Sequence, residues 1–274
     1  MSKITGITLG ADPELFVENA KGEIISAEGM IGGTKEEPIP ITKDGHAIQE
    51  DNIMVEFNIP PCTTEDEFVK NLDLVEEFLN TKLELQDNCK LNYSASAELD
   101  SKYLQTPQAK MFGCEPDFNV HLKAPNQSPN PETNLRTAGG HIHVGYNNPD
   151  ITISENIVYA MDIMLGLPSV NLDSDDRRKE MYGLAGCFRF KDYGLEYRSL
   201  SNFWLKSEES KRWAYQKTLE AVKLAESGLI PELIKKFGKK IKAAIDTNDK
   251  DLAITTSAAI DKVLTKKLVK VCAE

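Results

Sequence analysis

The chain has 274 residues, of which 41% are hydrophobic and 27% charged, the ordinary composition of a soluble globular protein. Its formal net charge of −11 disfavours binding to nucleic acid or to an anionic membrane, because both need an excess of cations. No apolar run approaches the roughly 20 residues of a membrane span, and the first residues lack the hydrophobic block of a signal peptide. We therefore expect a cytoplasmic protein without a nucleic-acid or membrane partner.

Five cysteines are spread along the chain, and no two of them form a Cys-x-x-Cys pair. An odd, dispersed set is typical neither of a disulfide framework nor of a thiolate zinc site. We expect these thiols to act as small buried hydrophobic side chains in a reducing compartment. Their positions are Cys62, Cys89, Cys114, Cys187 and Cys272.

The first part of the chain alternates strand and turn signals. Residues 4–10, 14–18 and 23–25 have the composition of short strands, with a turn at residues 19–22. Residues 29–45, rich in glycine and proline, predict a loop, and residues 54–59 alternate as a strand that stops at Pro60. Thr64 and Glu67 predict a capping box. The helix after it is indicated by apolar residues at helical spacing, namely Phe68, Leu72, Val75, Leu79 and Leu83.

Strand patterns return at residues 118–122, 140–144, 187–190 and 195–200, with a helix predicted over residues 154–167. From Ser207 onward the pattern is helical, with breaks expected at Pro231, Gly238 and Asn248. The charge changes at the same place. Residues 206–274 hold 15 Lys and Arg against 10 Asp and Glu, a net charge of +5, which leaves −16 on residues 1–205. We predict a mainly antiparallel α+β domain over residues 1–205 and a helical C-terminal segment, residues 206–274, packed on it.

Four short segments combine ionisable residues with the alternation of a strand. Because residues i and i+2 lie on one face of a strand, each segment places its ionisable side chains on one face and apolar side chains on the other. If the strands share a sheet, these groups converge on one polar surface. The segments hold, in chain order, Asp12 and Glu14; Glu50, Asp51 and Glu56; His141 and His143; and Glu196 and Arg198.

Such a surface predicts binding of metal and phosphate. Several carboxylates cannot gather without counter-charge, since each raises the pKa of its neighbours. Mg²⁺ or Mn²⁺ provides that charge, because these hard cations prefer carboxylate oxygens, water and substrate phosphate as ligands. An arginine beside them is suited to bidentate contact with a phosphate group.

Taken singly, each segment has a simpler interpretation. Asp12 and Glu14 alone fit a solvated strand face, and the Glu196–Arg198 pair alone fits a cross-strand ion pair that contributes little stability. The two histidines stand out more, because half of the chain's 4 histidines fall within three residues, between glycines that allow close approach of a ligand. The order of all four segments is far more specific than any one of them.

In this order the segments read Asp-x-Glu, Asp-Asn-x-x-x-Glu, Gly-Gly-His-x-His and Glu-x-Arg. They resemble the carboxylate–amine ligases (amidoligases) of the glutamine synthetase and glutamate–cysteine ligase superfamily. More narrowly, residues 10–14 and 56–61 resemble the Gly-x-Asp-Pro-Glu and Glu-Phe-Asn-Ile-Pro-Pro segments of the small phage-type amidoligases. The resemblance spans about residues 6–204 and leaves the helical C-terminal segment uncovered.

The resemblance implies a curved, mainly antiparallel sheet with flanking helices, whose concave face holds ATP and Mg²⁺ (or Mn²⁺). It implies that the γ-phosphoryl group of ATP is transferred to a substrate carboxylate. An amine then attacks the acyl phosphate to give an amide, ADP and phosphate. The substrates would be a small-molecule or peptide carboxylate and amine. The family also implies a phage protein in the host cytoplasm, and it leaves a homo-oligomer open.

The resemblance also assigns metal ligands. Glu14 and Glu56 would hold one ion, and a second ion would be held by Asp12, His141 and Glu196. The superfamily more often has Glu where this chain has Asp12, so the shorter side chain leaves room for a water between it and the ion. The catalytic residues implied are Glu14, Glu56, Glu196 and Arg198.

Phosphate and substrate contacts are implied at four positions. His143 would face the ATP phosphates, and Arg198 would bind phosphate. Arg189, in a cationic run before Glu196, is a candidate ligand of the γ-phosphate or of the substrate carboxylate. Arg136 is a weaker candidate for the substrate. For both Arg189 and Arg136 the alternative is an ordinary surface cation.

Strand parity ranks two further carboxylates. Glu50 shares parity with Glu56, whereas Asp51 does not, unless a bulge intervenes between them. Both rank below Glu56 as members of the site.

Other functions share part of the pattern. The superfamily includes guanidino-group kinases, whose product is a phosphorylated compound instead of an amide. A metal-dependent hydrolase would place His141 and His143 on zinc, although no third ligand stands at a recognisable spacing and Arg198 would lack a role. A non-enzymatic binding module would leave the polar face merely solvated. The lysines of residues 235–242 are expected to form a solvated helix face, with docking of an acidic neighbouring subunit as the alternative.

Overall fold

The computed structural model describes residues 3–110, 117–127 and 133–271. Antiparallel strands form a curled sheet and helices pack against it, which confirms the predicted α+β fold class. The strands in the described residues are β1 (Thr8–Ala11), β2 (Glu14–Glu18), β3 (Ile24–Ile25), β4 (Ile39–Pro40), β5 (Ala47–Asp51), β6 (Met54–Asn58), β7 (Lys90–Asn92), β8 (Ser96–Glu98), β9 (Phe118–Asn119), β10 (Ala124–Pro125), β11 (Leu135–Thr137), β12 (Ile142–Gly145), β13 (Cys187–Lys191) and β14 (Gly194–Tyr197).

The strands form two larger sheets and a two-stranded ribbon. The first sheet has the order β1-β12-β14-β13-β9-β10. The second sheet has the order β3-β2-β6-β5-β4, and β7 also pairs with β2. The ribbon joins β8 to β11. Neighbouring strands in both sheets run antiparallel.

The two larger sheets run into one another at β1. Only Asp12 and Pro13 separate β1 from β2, so the chain crosses from the first sheet to the second at the first ionisable motif. The chain after β6 also bonds to the end of β1, because the Ile59 N–H donates to the Ala11 carbonyl oxygen at 3.1 Å. The two sheets thus form one continuous curled surface.

The first long helix, α1, begins as its sequence indicates. In α1 the Thr64 hydroxyl accepts from the Glu67 N–H while the Glu67 carboxylate accepts from the Thr64 N–H, which confirms the predicted capping box. A π-helical segment, Asp162–Gly166, joins α3 to α4. The helices are α1 (Glu65–Glu84), α2 (Pro107–Lys110), α3 (Ile151–Met161), α4 (Leu167–Leu172), α5 (Glu208–Glu226), α6 (Ile230–Asp246) and α7 (Lys250–Val271).

One face of the first sheet is apolar and covered by helix. Phe188, Leu195 and Tyr197 are fully buried in the main core, and α3 packs against β13 and β14. Side chains alternate along a strand, so Arg189 and Glu196, which are cross-strand partners, lie on the opposite face. The face of the first sheet opposite α3 therefore carries the ionisable groups.

The helices after residue 206 pack on the rest of the chain. Helix α5 lies against α1 and α3, while α6 and α7 lie against α4 and against each other. One core cluster contains both Ile157 of α3 and Val222 of α5. The division into residues 1–205 and 206–274 stays a prediction.

Among the predicted element bounds that differ from the structure, two have a clear local cause. Gly238 does not end a helix but lies buried inside α6, because one glycine costs a helix only about 1 kcal/mol and the apolar face of α6 outweighs that cost. The strand predicted over residues 118–122 ends at Asn119, whose side-chain oxygen accepts from the N–H groups of His121 and Leu122 and turns the chain.

The strand predicted over residues 195–200 ends at Tyr197, and β4 lies inside the loop predicted over residues 29–45. Other predicted bounds agree with the structure or are extended in it. Asn248 separates α6 from α7 in the left-handed conformation, with φ of 53°. The helix predicted over residues 154–167 is confirmed and extends over residues 151–172 through the π-helical segment. Cys62, Cys89 and Cys187 are buried free thiols, whereas Cys114 and Cys272 lie outside the described residues. No described helix is both long and apolar enough to cross a bilayer.

Candidate active site

A cavity of about 170 Å³ lies where the two larger sheets meet, and residues of all four motifs line it. The second sheet contributes carboxylates to one side, and the first sheet contributes cations to the other. We call the carboxylate side the acidic wall and define it by Glu14, Asp51 and Glu56. We call the cationic side the basic wall and define it by Arg189, Lys191 and Arg198.

The link between β1 and β2 sets the first motif. Asp12 belongs to neither strand, and Glu14 opens β2 directly opposite Glu56 on β6. The Glu14 carboxylate is buried and accepts from the Gly139 N–H at 2.6 Å, while the Glu14 N–H donates to the Gly139 carbonyl at 2.9 Å. The first motif is thereby tied to the glycines of the third.

Those glycines are required by close contacts. A Cβ on Gly139 would lie 2.3 Å from Nε2 of His141, and a Cβ on Gly140 would lie 2.3 Å from the Ser201 carbonyl oxygen. The indole N–H of Trp204 also donates to the Gly140 carbonyl at 3.1 Å. The Gly-Gly pair therefore lets the segment before His141 pack directly against the segment after Arg198.

Asp12, His143 and Glu196 form a cluster in which one ligand atom from each lies within 4.8 Å of the others. We call these three residues the central cluster. Nε2 of His143 lies 2.9 Å from Oδ1 of Asp12. His141, which the sequence placed in this set instead of His143, has Nδ1 at 3.3 Å from the same Asp12 oxygen and 3.8 Å from Oε1 of Glu196. The structure thus brings both imidazoles close to Asp12 and to Glu196.

Charges around the central cluster shift its pKa values. Burial would raise the pKa of Asp12, but the neighbouring charges of His143 and His141 and their hydrogen bonds outweigh burial and hold that pKa well below its usual range. Burial lowers the pKa of His143, and the Asp12 carboxylate more than restores it, so the net shift is upward. Aspartate and histidine therefore stabilise one another as an ion pair.

The basic wall is arranged around Glu196. Arg198 Nη1 bonds to Oε1 of Glu196, and Lys191 Nζ lies 3.0 Å from Oε2. Arg189 Nη1 lies 3.7 Å from Oε1. Burial and Asp12 would raise the pKa of Glu196, but Arg198 and the two histidines outweigh them and lower it to about 2. This carboxylate is therefore fully ionised at neutral pH and holds three cations at the cavity.

At the acidic wall the carboxylate pKa values are raised instead of lowered. Burial raises the pKa of Glu56 well above its ordinary value, and the carboxylates of Asp12, Asp51 and Glu14 raise it further, against one hydrogen bond from Gln49 Nε2 at 2.7 Å. Burial and Glu14 raise the pKa of Asp51 to about 6, although Lys35 opposes them. Like charges meet here with too little compensation, which is the condition that a bound cation relieves.

Shared parity does not put Glu50 on the same face as Glu56. A two-residue hairpin turn at Asn52 and Ile53 separates β5 from β6, and the register pairs Gln49 with Glu56 and Asp51 with Met54. Odd-numbered residues of β5 therefore share a face with even-numbered residues of β6.

Asp51 accordingly lines the cavity. Glu50 points away, where its carboxylate accepts from the N–H groups of Gly29, Ile31 and Gly32 at 2.7–2.9 Å. It anchors the loop of residues 29–45, which brings Lys35 and Pro38 to the cavity rim.

Arg136 is not brought to the cavity. Its guanidinium is buried and donates to the carbonyl oxygens of Thr133, Leu135 and Ala109 at 2.7–2.9 Å, and to Oδ1 of Asn52 at 3.3 Å. These bonds hold loop backbone together. The sequence could not separate this role from substrate binding, because both need only an arginine near the glycines.

Three residues at the site were missed in the sequence. Asp117 has Oδ1 at 2.6 Å from Nε of Arg198, so Arg198 lies between two carboxylates. Lys191 was noted only as part of a cationic run. Tyr193 stacks on His143 with ring centroids 5.7 Å apart, and its hydroxyl lies 3.0 Å from Nδ1. Lys191 and Tyr193 could have been found from their place in the β13–β14 hairpin, whereas nothing near Asp117 in the sequence signals a site.

The donor set fits a hard divalent cation. The carboxylates of Asp12, Glu14, Glu56 and Glu196 offer oxygen ligands around one cavity, and His143 or His141 adds an imidazole nitrogen. The thiols Cys62, Cys89 and Cys187 do not line it. A Zn²⁺ site of nitrogen and sulfur ligands fits this carboxylate-rich set less well.

Comparisons with known proteins find one family match and distant similarities to solved structures. Residues 130–241 match the family model "Phage phiEco32-like COOH.NH2 ligase-type 2". No curated protein matches the chain. Among solved structures, a bifunctional glutathione synthetase from Pasteurella multocida is similar at 10% identity and a TM-score of 0.40, with 93% of this chain and 49% of that chain covered. A novel glutamine synthase homolog is similar at 12% identity and a TM-score of 0.41, with 93% and 66% covered. The chain thus spans about half the length of the first and two thirds of the second.

The matched segment contains the third and fourth motifs, from Gly139 to Arg198. It also runs through α5 and most of α6, so the similarity extends beyond residue 204, where the motif-based resemblance ended. Residues 130–241 are therefore similar to a phage-type carboxylate–amine ligase family, the family that the four ordered motifs resemble.

Proposed function

We propose that this protein is an ATP- and Mg²⁺-dependent ligase that joins a carboxylate to an amine through an acyl phosphate and releases ADP and phosphate. The observation that carries the proposal is the division of one cavity into an acidic wall and a basic wall, with the central cluster beside it. A ligase of this kind must hold metal, polyphosphate and two substrates together, and the two walls supply the charges for each.

Metal ions would be held by carboxylates of both sheets. Glu14 and Glu56 face each other across β2 and β6 and would share one ion. Asp12 and Glu196, with His143 or His141, would share another. When bound, Mg²⁺ or Mn²⁺ supplies positive charge that neutralises the transferring phosphoryl group.

The basic wall would bind the phosphate oxygens. Arg198 offers a planar guanidinium for bidentate contact, and Lys191, which lines the cavity, offers an ammonium on a side chain that is 35% exposed. Arg198 and Lys191 both contact the Glu196 carboxylate, and a bound polyphosphate would replace part of that contact with its own oxygens. Asp117 stays on Nε of Arg198 and would keep the guanidinium oriented during the exchange.

The acidic wall would receive the amine. The γ-phosphoryl group moves to the substrate carboxylate, the amine nitrogen attacks the acyl carbon, phosphate leaves, and the nitrogen gives up a proton. Asp51, whose pKa is raised to about 6, is ionised at neutral pH yet basic enough to accept that proton at its carboxylate oxygen. Lys35 and Pro38, from the loop of residues 29–45, would contact the substrate from the rim.

The substrates themselves are proposed only as a small-molecule or peptide carboxylate and amine. The loops of residues 29–45 and 123–137 would select them, as loops on a rigid sheet commonly do; residues 128–132 of the second loop lie outside the described part. A phage origin, a cytoplasmic location and a homo-oligomer remain predictions.

The first experiment is calorimetric titration of ATP into the protein, once with Mg²⁺ and once with EDTA. Wild type is compared with Glu196→Gln and with the control Glu98→Gln, an exposed carboxylate that pairs with Arg177 away from the cavity. We expect micromolar binding that requires both Mg²⁺ and Glu196 and that Glu98→Gln leaves unchanged. ATP binding that depends neither on Mg²⁺ nor on Glu196, or no ATP binding at all, would overturn the proposed nucleotide site.

The second experiment identifies the reaction. Hydroxylamine replaces the amine and traps an acyl phosphate as a hydroxamate, so pools of carboxylic acids can be screened without knowing the acceptor. Hydroxamate and ADP in equal amounts support the ligase. A stable phosphorylated product without hydroxamate indicates the kinase alternative, and turnover without nucleotide indicates the metal-dependent hydrolase.

A further inference from the structure

Arg178 lies outside the cavity, yet it reaches the backbone of two catalytic motifs. It is 4% exposed, and its three described side-chain hydrogen bonds all go to carbonyl oxygens. Nε donates to Ala138 at 3.1 Å, Nη1 to Ser199 at 3.2 Å and Nη2 to Arg198 at 3.4 Å. One guanidinium thus joins the start of the histidine motif to the end of the Glu-x-Arg motif.

The bond to Ala138 acts on Glu14. The Ala138 carbonyl and the Gly139 N–H belong to the same planar peptide unit. The carbonyl accepts from Arg178, and the N–H on the other side donates to Oε2 of Glu14 at 2.6 Å. A donor on one end of a peptide polarises and orients the other end. Arg178 therefore fixes the direction of the hydrogen bond that holds the Glu14 carboxylate in the acidic wall.

Gly183 shows that the surroundings are fitted to this guanidinium. Its φ is +76°, and a Cβ there would lie 1.7 Å from Nη1 of Arg178 and 2.9 Å from the Ser199 carbonyl oxygen. Any side chain at position 183 would displace the guanidinium. Burial lowers the pKa of Arg178, and Glu14 partly offsets that shift, which is consistent with a buried cation behind the acidic wall.

We propose that Arg178 is a positioning residue of the active site. It aligns Glu14 through the Ala138–Gly139 peptide, and it aligns Arg198 by donating to the Arg198 carbonyl oxygen. The proposal rests on the proposed function for its catalytic meaning, but the alignment itself is a property of the fold. Outer-shell partners of metal ligands typically change metal affinity by about 10- to 100-fold when removed. The same range is expected here.

The test compares Arg178→Ala with Arg177→Ala, the adjacent arginine on the same turn, which is 41% exposed and pairs with Glu98. Mn²⁺ affinity is measured by electron paramagnetic resonance, and protection of the Gly139 amide by hydrogen exchange. We expect Arg178→Ala to weaken Mn²⁺ binding by about 10- to 100-fold and to expose the Gly139 amide. Guanidinium chloride at millimolar concentration should restore part of both, whereas sodium chloride at equal ionic strength should not.

A second pair of variants keeps the arginine. Gly183→Ala pushes the guanidinium aside, and Gly22→Ala introduces the same left-handed strain, with φ of +78°, where a Cβ meets nothing within 4 Å. Only Gly183→Ala should weaken Mn²⁺ binding. This pair decides the question if Arg178→Ala does not fold.

The outcomes separate the two proposals. Wild-type Mn²⁺ affinity and a protected Gly139 amide in a folded Arg178→Ala variant would overturn the positioning role, as would equal effects of Gly183→Ala and Gly22→Ala. If wild type binds no Mn²⁺ and no nucleotide, the proposed function fails. Loss of Gly139 protection specific to Arg178→Ala and Gly183→Ala would still support the alignment.

Discussion

The acidic and basic walls face the same cavity, yet the pKa values of the carboxylates at the two walls are shifted in opposite directions. Glu56 on the acidic wall has a pKa raised well above its ordinary value by burial and by like-charged neighbours. Glu196 beside the basic wall is buried, but Arg198 and the two histidines lower its pKa to about 2. The carboxylates of the acidic wall have too few cations beside them, whereas cations of the basic wall compensate the charge of Glu196. The comparison indicates where a metal would enter and where polyphosphate would compete with an existing anion.

The largest expected contrast comes from Glu56→Gln. We expect ADP formation to fall at least about 100-fold, more than for an outer-shell change. In EDTA the melting temperature should nevertheless rise by about 2–4 °C, because one of the crowded carboxylates is gone. Differential scanning calorimetry with and without Mg²⁺ measures this.

The matched variant is Glu196→Gln, which should lower the melting temperature in EDTA, because Arg198 and Lys191 lose their common carboxylate. A similar loss of stability in both variants would contradict the division into two walls.

The pH dependence of stability should reveal the acidic wall. Asp51, with its pKa raised to about 6, holds a proton in the folded protein that the unfolded chain releases near pH 4. Metal-free stability should therefore fall as the pH rises through about 4 to 6, by up to about 3 kcal/mol from this group. Urea titrations should show a greater gain from Mg²⁺ at pH 8 than at pH 5. An equal gain at both pH values would indicate that the metal does not meet these carboxylates.

A smaller effect is expected for Lys191→Met on the basic wall. This lysine forms one partly exposed contact with Glu196, so its loss should leave the melting temperature unchanged. ATP affinity should fall about tenfold, the size of one charge-assisted hydrogen bond. Calorimetric titration with ATP measures this loss. Titration with Mn²⁺ tests the acidic wall of the same variant, where the affinity should stay the same. Unchanged ATP affinity would remove Lys191 from the nucleotide site.

The smallest effect on the site is expected for Arg136→Lys. Its guanidinium bonds loop backbone away from the cavity, so nucleotide affinity should not change. Stability should fall by about 1–3 kcal/mol, because a lysine cannot satisfy the same carbonyl oxygens. A weaker nucleotide affinity at unchanged stability would restore the substrate-binding role that the sequence indicated.

The sequence alone determined the local chemistry. Thr64 and Glu67 specified the start of α1, and apolar spacing specified its buried face, because capping and helical periodicity act over a few residues. The ordered motifs also resemble those of a ligase family, and they contain the carboxylates, the histidine and the arginine that the structure brings to one cavity.

Tertiary structure decided what depends on register and on distant partners. The hairpin at Asn52 exchanged Glu50 for Asp51 at the cavity, since one turn reverses which parity faces inward. Asp117 contacts Arg198 from a segment distant in sequence, and the Arg136 guanidinium bonds to loop backbone instead. Alternation within a strand follows from covalent geometry, whereas the pairing of strands and the contacts of a long side chain follow from how the whole chain packs.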